Sequence, residues 1–204
     1  MLIPTFGIIL FIFLYVLATL LYPGGSQADK NSLGFSWVNN YWCNLLNEYA
    51  INGKINPARP IALFAMVILS LSLIDFFVLF PKSLLISKTK KSIIQWLGSL
   101  SMCLALFIFT SFHDIVINVS VFFGVICLIE IFSALWEIKW KRLFWLGTFN
   151  IPLIILNNIL YYGGTLINYL PLLQKFTFLF FLCWICMIDL HLFSKEKSAI
   201  HGCK

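Results

Sequence analysis

Apolar residues recur along this 204-residue chain in blocks of about 20, and that constrains its fold more than any motif does. A helix needs about 20 residues, at about 1.5 Å each, to cross roughly 30 Å of hydrocarbon. Six blocks stand out, at 2–22, 61–80, 92–112, 115–136, 143–162 and 172–193. A helix on a soluble core is apolar along one stripe, whereas these are apolar all round. Composition agrees: 11% of the residues are charged and 61% hydrophobic, against about a quarter charged in a soluble domain. The expected fold class is all-α, a polytopic membrane helix bundle forming one membrane domain over 1–204. It has six transmembrane helices plus an amphipathic interfacial helix in the first outer loop.

The breaks between blocks have chemical causes. Pro23-Gly24-Gly25 ends the first block, Pro60 opens the second and Pro81 closes it, and Gly163-Gly164 and Pro171 flank the last short loop. Glycine supplies turn backbone, and proline removes an N–H donor. The run 92–136 is 45 residues long. As one helix it would reach about 68 Å, too long for a single tilted span. A tight hairpin at His113-Asp114 is therefore expected.

Basic residues set the orientation. Lys82, Lys88, Lys90 and Lys91 fall in one connection, Lys139, Lys141 and Arg142 in another, and Lys195, Lys197 and Lys204 in the tail. Together they are 10 of the 14 Lys and Arg, and six spans put them all on one side. The positive-inside rule then places both termini in the cytoplasm. The first block lacks a basic leader and exceeds a usual signal-peptide core, so it is read as a retained span. The net charge of +6 is dispersed between spans rather than gathered into a patch. Membrane lipid is the expected partner, and nucleic acid is not.

The only long connection, 23–59, faces outward in this scheme. Val38, Tyr41, Trp42, Leu45, Leu46 and Tyr49 recur at helical spacing, with Asn39, Asn40, Asn44 and Asn47 on the remaining arc. Ser36 stands where an N-cap would, and Asn52-Gly53 is a natural stop. The pattern predicts an amphipathic helix lying at the interface, as an anchor or as a lid.

Ionisable residues at membrane depth need a partner or a cavity. An outer candidate ligand site gathers Arg59, His113, Asp114, Asn118, Asn157, Tyr161 and Trp42. Arg59 can fork onto a phosphate or carboxylate, and His113 can serve as acid, base or metal ligand beside Asp114. An inner group holds Asp75, Glu130 and Asp189, as a cation or proton site or as partners of Gln95, Lys139, Lys141 or Arg142. No residue is assigned a catalytic role, and metal and cofactor are left open. Cys183-Trp184-Ile185-Cys186 is a CxxC, but only Cys43 is available outside to pass electrons on, and no disulfide framework is implied.

The loop sequence Tyr22-Pro23-Gly24-Gly25-Ser26, Gly34-Phe35-Ser36-Trp37, Asn40-Tyr41-Trp42-Cys43, Asn52-Gly53 and Asn56-Pro57-Ala58-Arg59-Pro60, with the later Phe112-His113-Asp114, resembles an uncharacterised bacterial six-span membrane family, domain of unknown function family 998. The resemblance implies one span, a long outer loop and five closely connected spans, and brings no activity. Ser70 or Ser72 with Asp75 and His113 resembles, more faintly, the alkaline-ceramidase-like membrane hydrolases, although this chain has no HxxxH. Three functions are therefore in view. The first is an outward-facing pocket for a lipid or small amphiphile, the second a metal-assisted lipid hydrolase. The third is a small transporter or cation-coupled carrier.

Overall fold

A computed structural model describes residues 2–107, 110, 113–164 and 166–202, with no account of the side chains at 113, 114 and 199–202. Seven α-helices occur among the described residues: α1 (Ile3–Leu21), α2 (Arg59–Lys82), α3 (Lys88–Ala105), α4 (His113–Glu137), α5 (Lys141–Thr148), α6 (Asn150–Gly163) and α7 (Leu170–Gly202). Five helical stretches are long and apolar enough to cross a membrane: α1, α2, α4, the α5–α6 pair and α7. The chain is an all-helical, multi-pass integral membrane protein.

Block three differs from the other five. Its helix α3 has 18 residues and opens on Lys88-Thr89-Lys90-Lys91, so its apolar part falls short of a span taken by itself. It ends at Ala105, earlier than its block, and His113 and Asp114 are already helical in the first turn of α4. The turn therefore precedes His113-Asp114 rather than being made by it. Around it, Phe107 N–H bonds to the Leu104 carbonyl and Thr110 N–H to that of Phe107, the tight i to i+3 pattern that closes a helix.

By proximity the chain groups into two compact units, Met1–Ile9, Val67–Thr148 and Cys183–Lys204 in the first, and Leu10–Met66 and Phe149–Leu182 in the second. In the first unit α3 and α4 run antiparallel. Ser101 and Ser120 exchange hydroxyl-to-carbonyl bonds of 2.8 Å, and one heptad away on each helix the Cys127 thiol reaches the Ile94 carbonyl. Lys90 Nζ closes the pair on Ser133 Oγ and Glu137 Oε2. Small residues let the helices approach, as lipid-phase packing requires. A Cβ at Gly98 would fall 2.5 Å from the Phe77 ring, and one at Gly147 would fall 2.4 Å from Trp184. Trp184 is buried and donates its Nε1–H to the Leu143 carbonyl.

Proline acts unevenly. Pro152 breaks the fifth block, because its missing N–H leaves the helix to restart at Asn150 after a turn at Phe149. Pro81 is accommodated inside the last turn of α2, which runs one residue past it.

In the second unit, the loop 23–59 holds no amphipathic helix. A five-residue 3-10 turn, Trp42–Leu46, stands where that helix was expected. The asparagines explain the difference, since their side chains compete with helical hydrogen bonds and favour turns. Asn56 Nδ2 donates to the carbonyls of Asn44, Leu45 and Asn47, while its Oδ1 accepts from Ala58 N–H at the start of α2. Asn40 Nδ2 donates to Gly25 O, and its Oδ1 accepts from Ser36 N–H. Ser36 caps a single turn, on Asn39 N–H, and Asn52-Gly53 makes a tight turn bridged by Tyr49 and Ile55. Gly24 and Gly25, at φ +132 and +82, admit no side chain. A Cβ on either would lie 2.4 Å from a backbone atom across the loop.

Candidate functional site

Four of the residues expected at the outer site belong to the second unit: Trp42, Arg59, Asn157 and Tyr161. Asn118 lies on α4 in the first unit, and the side chains of His113 and Asp114 lie outside the described residues.

The 3-10 turn positions Trp42. Its ring packs 5.4 Å from those of Tyr15 and Phe178 and 6.2 Å from that of Phe11, which makes an apolar bed. Asn56 positions Arg59, because the Asn56-Pro57-Ala58 turn fixes the entry to α2 and Arg59 is its first residue. The Arg59 guanidinium meets Glu48 at 4.0 Å, the outer limit of an ion pair. Arg59 Nε and Trp42 Nε1 are both shielded from solvent and have no acceptor among the described residues. On α6, Asn157 Nδ2 bonds the Leu153 carbonyl and Thr177 Oγ1, while its shielded Oδ1 has no donor there. A buried unmet donor or acceptor costs about 1–3 kcal/mol, and these three atoms, all in the second unit, are the candidates for a ligand's polar contacts. Tyr161 is exposed on the same helix and near enough to Tyr41 to help raise that hydroxyl's pKa, after burial as the larger cause.

Lys175, on α7, is one of the four Lys and Arg that lie outside the three basic segments. It is buried, its Nζ donates to the Asn40 and Pro171 carbonyls, and it lies 5.6 Å from the Phe35 ring. Lys175 therefore fastens the loop. A lone cation at the fourth position of an apolar block was the available signal. Tyr22, the residue after α1, works in the same direction, its hydroxyl accepting from Ile51 N–H.

The inner carboxylates separate. Asp189 is buried and accepts from Thr5 Oγ1 at 2.6 Å, and its charge interacts with that of Asp75. Asp75 Oδ2 is shielded and has no partner among the described residues. Glu130 neighbours Cys127 on α4 instead. Two of the four suggested partners are engaged elsewhere: Gln95 bonds the Val78 carbonyl and Lys141 that of Trp136. Among the described residues no three His, Cys, Asp or Glu come together as a metal site. Cys183 and Cys186 are free thiols on α7.

Compared with protein-family models, curated proteins and solved structures, the chain matches none of them. The chain is a multi-pass, all-helical membrane protein.

Proposed function

We propose that this chain is a six-span membrane protein with both termini cytoplasmic, binding the acidic head of a lipid or small amphiphile on its outward side. Arg59 and Trp42 are the anchors, and Asn157 and Tyr161 are further polar groups. One observation carries the reading: the buried N–H donors of Arg59 and Trp42 have no acceptor among the described residues, and a phosphate or carboxylate would supply one. Arg59 offers a planar fork to such a group, and the Trp42, Tyr15, Phe11 and Phe178 rings offer a surface to an acyl chain. Antiparallel bonding of α3 along α4 from Lys90 to Ser101 supports counting α3 as the sixth span.

The test is native mass spectrometry of the detergent-purified protein and its Arg59→Gln variant. A charge-assisted bond is worth about 1.5–3 kcal/mol, so bound acidic lipid falls at least about ten-fold in the variant. Equal lipid in the two proteins removes the reading. The topology has its own test: a membrane-impermeant maleimide added to intact cells labels Cys43, which is exposed in the loop. Labelling only after lysis reverses the orientation.

A carrier is the second reading, favoured by the shielded Asp75 oxygen beside Asp189. It predicts cation- or proton-coupled flux in proteoliposomes that Asp189→Asn abolishes. No flux at any imposed gradient sets it aside.

A further inference from the structure

The basic residues that fix orientation also build something. The end of α4, the start of α5 and the second half of α7 line a groove of about 800 Å³ in the first unit. Lys139, Lys141, Arg142 and Lys195 line it, and among the described residues no Asp or Glu does. Of the acids close in sequence, Glu137 is held by Lys90 at 2.6 Å, Asp189 accepts from Thr5, and Glu196, next to Lys195, is not part of the lining. Lys139, Arg142 and Lys195 make no ion pair among the described residues. One wall is aromatic: the Trp140 ring meets that of His191 edge-on at 4.4 Å, and Lys195 Nζ stands 5.1 Å from the Trp140 ring. Leu146, Met187 and Leu190 continue the groove as apolar surface.

Lys139 adds an independent observation. It occupies the left-handed position after α4, at φ +62, where the Trp140 N–H reaches back to the Leu135 carbonyl and its own N–H to that of Trp136. That is the helix-ending motif in which glycine is the strain-free residue. A lysine there accepts backbone strain in order to present a cation to the groove.

We infer that this groove binds the headgroup of an anionic phospholipid, with the phosphate among Lys139, Arg142 and Lys195 and an acyl chain along Leu146, Met187 and Leu190. The combination of cations with an apolar continuation selects a lipid over a free anion, and basic recesses at the cytoplasmic ends of spans are suited to such heads. The groove shares no residue with the outer site, so either reading can fail without the other.

The full chain is placed in phosphatidylcholine nanodiscs, phosphatidylglycerol is titrated in, and bound lipid is counted by native mass spectrometry. The wild type takes up phosphatidylglycerol selectively. Arg142→Gln and Lys195→Gln each weaken that uptake about five-fold, whereas Lys82→Gln with Lys88→Gln, an equal or greater charge loss outside the groove, leaves it intact. Lys139→Gly weakens uptake while raising thermal stability, which separates lost binding from lost folding. Three results overturn the inference: equal uptake of the two lipids, equal loss in the Lys82/Lys88 variant, or full displacement of the lipid by millimolar inorganic phosphate, which would make the groove a free-anion site.

Discussion

In the loop 23–59, polar side chains turn onto the chain itself: Asn56 serves three carbonyls and one N–H, and Lys175 Nζ donates to the Asn40 carbonyl. In the groove at 139–195, three cations face open space without an acid. Both regions are rich in polar groups beside apolar helices, yet the first satisfies its polar atoms internally and the second does not. Polar residues near hydrocarbon thus fall into two kinds, and the hydrogen-bond partner, rather than the residue type, separates them. Arg59 and Trp42 are the instructive exceptions, two unmet donors inside the otherwise self-satisfied region.

If that contrast is right, substitutions should cost stability in the loop and spare it in the groove. Asn56→Ala orphans three carbonyls and one N–H, and is expected to destabilise the second unit by about 3 kcal/mol or more. Hydrogen exchange over residues 44–58 measures it, and unchanged protection would break the contrast. Lys175→Met leaves the Asn40 carbonyl unmet, an expected loss of about 2 kcal/mol, read as faster exchange at residues 36–47. Lys139→Gly acts in the opposite sense: relief of left-handed backbone raises stability by about 1 kcal/mol, visible as a higher melting temperature in detergent. A lower melting temperature would mean that Lys139 is structural.

Most helices were legible because block length and proline or glycine breaks act locally. The exceptions have particular causes. Asn39, Asn40, Asn44 and Asn47 looked like the wet arc of a helix; asparagine on a polar face and asparagine bonding a turn read alike until the acceptors are known. The turn expected at His113-Asp114 comes earlier, because α3 ends at Ala105 within an apolar stretch, with no charged residue, glycine or proline to mark the end. Three carboxylates at similar depth read as one group, whereas Asp189 bonds Thr5 and Glu130 neighbours Cys127 on α4, since depth along a span does not specify which face a side chain takes. Lys175 and the groove cations were legible as charges but not as contacts.

The central claim is that Arg59 and Trp42 await an acidic head. The most direct measurement is a cryo-electron microscopy map of the full chain in nanodiscs of native lipid extract. The account predicts headgroup density within hydrogen-bonding distance of both Arg59 Nε and Trp42 Nε1. Ordered water alone at those two atoms, or a direct bond from each to the protein, would contradict it.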